Sequence, residues 1–292
     1  MKNILSLVLA FVAINAWATK SDFTRNFDES FDVNSDVLIE TETAFSTLEI
    51  EEWDENTVQV HVEVRIEARN EEQAEDMFDE IDVDIKGDKY RVMVETDMSG
   101  NWNNKNNEVE IKIFIKAPDK SKLHVDHSFG TAKIGSFRGD AEVKVAFGSM
   151  EVDALTGNEV EIRSEYGEAI INKAHGGEFI VEFGSMEIQE VHGSAEIHNS
   201  YSSLEIHNIT SAAETIEIDN EFGSVSISVD QGTGYRIEAD CEFGDIDLPK
   251  DANIHRSVKE ITSKEVECTI GSNPKGEIIV NTSFGDVTID YR

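Results

Sequence analysis

From residue 129 onward, apolar residues fall in pairs two positions apart, and each pair follows an aromatic residue by three and five places. The pairs are Ala132/Ile134, Met150/Val152, Ala169/Ile171, Met186/Ile188, Leu204/Ile206, Val225/Ile227, Ile246/Leu248 and Val287/Ile289. Such alternation predicts a strand with one buried face. The leading aromatic is followed by glycine in Phe129-Gly130, Phe147-Gly148, Tyr166-Gly167, Phe183-Gly184, Phe222-Gly223, Phe243-Gly244 and Phe284-Gly285, with Tyr201-Ser202 as a degenerate member. Successive aromatics lie 18, 19, 17, 18, 21, 21 and 41 residues apart. A period near 20 indicates stacked supersecondary units, and the last gap equals about two of them.

Within most units an apolar residue recurs eight places after the aromatic (Phe137, Leu155, Ala174, Val191, Ile209), and Gly139, Gly157, Gly176 and Gly193 mark a second corner. A second alternating strand, such as Val160/Ile162 or Ile216/Ile218, then leads into the next aromatic. Two short strands and two corners cannot bury an inner face alone, but stacked coils can. The pattern therefore predicts an all-β fold, a single-stranded parallel β-solenoid with coils of about 18–21 residues, right-handed by the usual rule for parallel connections. Even offsets before the aromatic and odd offsets after it carry the apolar residues, so the pleat must slip at this corner. The expectation is that each ring closes the inner face in a ladder of about 4.8 Å repeat, with the glycine supplying the bend through a positive φ. An antiparallel meander would call for Asn-Gly turns at alternate corners, and the sequence has none.

Residues 19–122 read as a β-rich N-terminal module ahead of the repeat solenoid at 123–292. Thr57 to Ala68 alternates over a long stretch, followed by shorter runs at Tyr90–Thr96 and Val109–Ile115, all of antiparallel type. Between them Asn70 and Gln73 predict the start of a short helix with Ala74, Met77, Phe78 and Ile81 on one face. Phe45 with Leu48 and Ile50 matches the repeat and predicts an early coil. Residues 1–18 read as a signal peptide: Lys2, an apolar stretch from Ile4 to Ile14, and Ala16-Trp17-Ala18 as a cleavage pattern. Export to the periplasm or to the extracellular space or cell surface follows as an expectation.

The repeat in Phe147-Gly148-Ser149-Met150-Glu151-Val152 and Phe284-Gly285-Asp286-Val287-Thr288-Ile289, behind a β-rich segment and a leader, resembles the bacterial putative-adhesin family with toast-rack type repeats. The resemblance runs from about Val37 to Asp290. It implies a non-enzymatic protein of the bacterial envelope or surface, in a group also associated with envelope-stress systems, and it carries over no ligand residues.

Composition narrows the partners. With 60 acidic against 25 basic residues in 292, the formal charge is −35, which repels nucleic acid and anionic lipid. From Phe129 to Pro249 there are 24 acidic and 6 basic residues, and Glu165/Glu182 and Glu221/Glu242 are expected as outer-surface neighbours. Calcium could relieve that repulsion, but no calcium-loop motif is present, so a solubilising acidic surface is the favoured reading of the pattern. His175 and His192 share one register position and should stack, with His198 and His207 nearby; they are the weak candidates for zinc or copper, which wants three or four ligands. Cys241 and Cys268 both have inward parity, so a disulfide and a pair of buried free thiols stay open.

For catalysis the candidates are outward groups such as Glu161, Arg163 and Glu165, or Asp219 and Glu221, which a polysaccharide-active β-helix enzyme could use. Charges alternating along a solvated strand read the same way, and no nucleophile-elbow, Walker or His-Glu-x-x-His motif occurs. Trp102 in an Asn-rich stretch could stack on a sugar. Residues 250–275 form a nearly neutral island on the acidic chain. They are expected to cover the C-terminal end of the solenoid or to dock a partner there. The leading function is an exported, non-enzymatic adhesin-like binding or scaffolding protein, ahead of an envelope-stress component and of the polysaccharide enzyme.

Overall fold

The computed structural model describes residues 20–98 and 108–292; the expected signal peptide, residues 1–18, and Trp102 lie outside the described residues. The first elements are β1 (Ser21–Asp32), β2 (Leu38–Ala44), β3 (Ser46–Trp53), β4 (Thr57–Ala68), α1 (Glu71–Phe78), β5 (Ile81–Gly87), β6 (Arg91–Met98) and β7 (Val109–Pro118). The coils follow as β8 (Lys122–Ser128), β9 (Thr131–Phe137), β10 (Ala141–Ala146), β11 (Ser149–Leu155), β12 (Val160–Glu165), β13 (Glu168–Ala174), β14 (Gly177–Glu182), β15 (Ser185–Val191), β16 (Ala195–Ser200), β17 (Ser203–Ile209), β18 (Thr215–Glu221) and β19 (Ser224–Val229). The chain closes with β20 (Tyr235–Glu242), β21 (Ile246–Asp247), β22 (Asn253–Lys259), β23 (Ser263–Ile270), β24 (Gly276–Thr282) and β25 (Val287–Tyr291).

Each coil gives one strand to each of two long sheets. One, of twelve strands, runs β1-β4-β7-β3-β9-β11-β13-β15-β17-β19-β25-β21; the other, of thirteen, runs β22-β23-β20-β24-β18-β16-β14-β12-β10-β8-β2-β6-β5. From β8 to β19 every neighbour is parallel, as in Val143↔Ile162 and Met150↔Ala169, and the register shifts only between Ile206 and Ile209 in the β17–β19 pair. This is a parallel β-solenoid. Its core is the set of inward positions read from the sequence: Ile134, Val152, Ile171, Ile188 and Ile206, with Phe137, Leu155, Ala174, Val191 and Ile209 at the far corner, are all buried.

Phe45 opens the first coil, because β2 pairs parallel with β8 and β3 with β9. The long alternating strand β4 is antiparallel to both β1 and β7, as its pattern indicates. The other two runs differ from expectation on one side: β6 is parallel to β2, and β7 is parallel to β3. Within the N-terminal module antiparallel pairing is thus confined to the outer end, where β1 and β5 finish the sheets. Helix α1 starts where Asn70 Oδ1 accepts the Gln73 N–H at 2.9 Å, and it buries Ala74 and Phe78 against the sheet end.

The coil order at the C-terminal end also departs from chain order. The last coil, β24–β25, is inserted between the β18–β19 coil and the β20–β21 coil. Before it, β22 and β23 fold back as an antiparallel hairpin, and β23 covers the free edge of β20. The near-neutral island therefore covers one sheet of the terminal coil, through antiparallel rather than parallel pairing. Repeat register cannot reveal this swap, since the Phe243 and Phe284 coils carry the same pattern.

A histidine is among the titratable groups buried in this core. His127 faces inward from β8, and its Nδ1 shares a 2.8 Å hydrogen bond with Thr43 Oγ1. Burial pushes its pKa down to about 4, against smaller opposing effects of the Ser46 backbone and the Asp126 charge. Unfolded, the ring titrates near 6.5, so between these values the unfolded chain binds more protons and stability falls as the pH falls. This group is expected to remove about 1.5 kcal/mol of stability between pH 6.5 and 5. Urea midpoints of His127→Asn should lack that share of the slope, whereas equal slopes in both proteins would contradict it. Asparagine already occupies the same register position at Asn199 and Asn220.

Candidate functional site

The corner that carries the aromatic is built differently from the sequence expectation. Phe45, Phe129, Phe147, Tyr166, Phe183, Tyr201, Phe222 and Phe243 all have φ of 52–57°, the left-handed conformation. Bulky residues adopt it at a cost of about 1–2 kcal/mol each. It rotates these eight rings away from the core, so the pleat slips at the aromatic; at Phe284 the positive φ, 146°, falls on Gly285 instead, and all nine rings point outward with 39–55% of their surface exposed. The expected inward placement of the rings is thereby corrected.

The ladder spacing is as expected. Nine rings stack in one line, Phe45–Phe129–Phe147–Tyr166–Phe183–Tyr201–Phe222–Phe284–Phe243, with centroids 4.5–5.1 Å apart and planes within 10°. The ladder spans roughly 38 Å, one rung per strand spacing. Stacking of this kind is worth about 0.5–1.5 kcal/mol per pair, comparable to the backbone cost of each rung.

The glycine after each ring is needed for close approach. A Cβ on Gly148 would lie 2.1 Å from the Gly130 carbonyl oxygen, and one on Gly184 would lie 1.9 Å from that of Gly167. Serine replaces this glycine at Ser46, after the first ring, and at Ser202; the Ser202 Oγ accepts the Gly184 N–H at 2.9 Å, and the Phe183–Tyr201 spacing is 5.1 Å, the widest in the ladder.

Beneath the rings, at the inward position two residues earlier, runs a polar ladder that the sequence reading missed. Asn220 Nδ2 donates to the Gly223 carbonyl at 2.9 Å and to Thr282 Oγ1 at 2.6 Å, Asn199 Nδ2 donates to the Ser202 carbonyl at 3.0 Å and also bonds Asn220 Oδ1, and Cys241 Sγ donates to the Gly285 carbonyl at 3.3 Å. These buried groups satisfy carbonyls of the ring-bearing corner. The signal was present: Asn199 and Asn220 are polar residues in an inward register.

The flanks of the ladder are polarised. Phe45, Phe129 and Phe147 sit between Ala44, Ser128, Ala146 and Thr47, Thr131, Ser149, all uncharged. From Tyr166 onward carboxylates line it: Glu165, Glu168, Glu182, Glu221, Asp286, Glu242 and Asp245. Lys144 and Arg163 neutralise part of this, at 3.4 Å and 3.8 Å from Glu165, with Arg163 also 3.4 Å from Glu182. Lys264 pairs with Asp245. Among the described residues Glu168, Glu221, Glu242 and Asp286 have no ion pair.

The other expected groupings resolve unevenly. Glu165 and Glu182 are register partners. Glu221 and Glu242 are not, because the inserted β24 puts Ser283 between their strands. Asp219, Glu221, Asp240 and Glu242 instead border an open depression of about 440 Å³ floored by Asn281 and Ser283. Glu161, Arg163 and Glu165 lie along one strand and ion-pair with one another.

His175 and His192 stack at 5.1 Å, with the His175 pKa lowered by burial and then by His192, and His192 Nε2 bonds Glu190 at 2.9 Å. His198 sits 3.2 Å from Glu196, and His207 sits 2.6 Å from Glu187. No cluster of three or more metal-ligating residues occurs among the described residues.

Cys241 and Cys268 are buried and free. Cys268 pairs with Ile237 and Cys241 with Lys264, an offset of four residues, roughly 13 Å along the strand. A disulfide requires Cα atoms within about 7 Å. Burial raises both thiol pKa values, that of Cys268 to about 11.

Comparison with known proteins follows this architecture. The family model described as Toastrack DUF4097 matches residues 37–290. The chain belongs to that family. Among solved structures, one match is a "putative adhesin" from Bacteroides fragilis NCTC 9343, 13% identical, covering 93% of this chain and 98% of that one, with a TM-score of 0.46. A "putative lipid binding protein" from Parabacteroides distasonis ATCC 8503 is 16% identical over 93% and 96% of the two chains, TM-score 0.45. A "putative adhesin" from the same organism is 10% identical over 92% and 97%, TM-score 0.41. No curated protein matches the sequence. The family description names no enzymatic activity, and no helix among the described residues is long and apolar enough to cross a membrane.

Proposed function

We propose that this Toastrack protein is an exported, non-enzymatic adhesin-like binding or scaffolding protein of the bacterial envelope or surface, with the aromatic ladder as its contact surface. In this reading residues 1–18 are removed, residues 19–122 form the entry module, and residues 123–292 present the ladder. The observation that carries it is a continuous line of nine rings, each 39–55% exposed. Contiguous exposed apolar surface of this extent marks an interaction site. The charged groups support no competing catalytic arrangement: the acidic depression is open, and Arg163 is spent on ion pairs with its neighbours.

The test is retention on isolated bacterial envelopes. Wild-type protein should be retained, and a triple variant Phe147→Asn, Tyr166→Asn, Phe183→Asn should be released while keeping its far-UV circular dichroism, because asparagine accepts the left-handed conformation. Equal retention of both proteins would remove the ladder as the contact surface. Carboxylate-dependent turnover of acidic glycans would replace the binding reading with an enzyme.

A further inference from the structure

We infer that the ladder binds elongated, planar aromatic cations, which lie along it with their charge over the C-terminal rungs Phe222, Phe284 and Phe243. This rests on the reading of the ladder as a binding surface and names the ligand chemistry it selects. Three observations fix the class.

The rings stack face to face at 4.5–5.1 Å, so along the ladder their faces are hidden and the exposed surface is a row of ring edges. Sugars and guanidinium groups stack on ring faces and find few here. Ring edges carry the positive part of the aromatic quadrupole and prefer to meet a π face. A planar aromatic lying flat on the row meets several edges at once.

The second observation is charge. Glu221 beside Phe222, Asp286 beside Phe284 and Glu242 beside Phe243 have no cationic partner among the described residues, while the rungs Phe45, Phe129 and Phe147 have no charged flank. A ligand with a cationic end and an apolar body matches that polarity in one direction only. A second copy of this chain does not match, since its ladder would bring the same carboxylates.

The third is length and rigidity. The ladder repeats every strand with successive planes within 10°, and its C-terminal rungs are anchored from below by the Asn199–Asn220–Thr282 network, so little reorganisation is needed to receive a rigid rod-shaped ligand.

Thioflavin T, a planar aromatic cation, is the probe, and anilinonaphthalene sulfonate is its anionic counterpart. At low salt the full chain should bind thioflavin T saturably with a rise in fluorescence. The double variant Glu221→Gln, Glu242→Gln should weaken that affinity by about three- to tenfold, and Phe222→Asn should weaken it as well. The anion should bind more weakly than the cation to the wild type and gain in the double variant. Equal binding of both dyes, or thioflavin T affinity unchanged in the double variant, would overturn the inference. Envelope retention without dye binding would remove the ligand class and leave the adhesin reading; dye binding without retention would do the reverse.

Discussion

Gly148→Ala is expected to lower stability by about 3 kcal/mol or more, the scale of an overpacked site, measured as a drop in the urea midpoint at unchanged slope. Gly148 is followed by a strand, and its φ is not in the left-handed range, so a routine glycine-to-alanine exchange would be mildly stabilising. The opposite sign is expected because the added Cβ would meet the Gly130 carbonyl oxygen at 2.1 Å and its carbonyl carbon at 3.1 Å. Those are backbone atoms of the coil beneath, and they cannot move without breaking the Ser149 N–H bond to the Gly130 carbonyl, 3.0 Å long. Gly148→Ser should cost less than alanine, because Ser202 already occupies this position with its hydroxyl bonded to the Gly184 N–H. Alanine and serine variants of wild-type stability would show that the coils do not approach so closely.

The two kinds of aromatic in the repeat should respond in opposite ways. Phe137, at the far corner, is fully buried among the coils, and Phe137→Ala should cost about 3–5 kcal/mol, the usual loss for an emptied aromatic site. Phe147 is half exposed and held at φ 55°. Phe147→Asn loses stacking on two neighbours, about 1–3 kcal/mol, and recovers part of the left-handed backbone cost, about 1–2 kcal/mol. The net loss should stay at or below about 2 kcal/mol. Chemical denaturation of the two variants side by side decides it: similar large losses would place Phe147 in the core.

This contrast locates what side-chain pattern can and cannot reveal. Apolar pairs at three and five places past the ring, the far-corner residue at eight, and the Asn70 cap were all legible, because burial and capping act through side-chain chemistry. Ring direction was not legible. Parity counting assumes an extended backbone through Phe147, and a single left-handed residue reverses the side chain without altering the pattern on either side. The glycine was read as the bend for the same reason; that holds at Gly285, φ 146°, whereas at the other corners its role lies in close approach to the carbonyl of the next coil. At the candidate site, Glu165/Glu182 follow from the period alone, while Glu221/Glu242 depend on coil order. That order is set by the hairpin β22–β23 turning back on β20, a long-range choice that leaves no mark in the repeat.

The central claim, that the repeat aromatics form an outward ladder on a parallel solenoid, is tested most directly by native-state nitration of tyrosine with peptide mass mapping. Tyr166 and Tyr201 are rungs, 49% and 51% exposed, while Tyr235 is 1% exposed and its hydroxyl donates to the Thr210 and Ala213 carbonyls. Burial also raises the Tyr235 pKa to about 12, which further suppresses the reactive phenolate. Modification of Tyr166 and Tyr201 with Tyr235 protected is the predicted result; protection of Tyr166 and Tyr201 in the folded protein would place the rings inside and contradict the account.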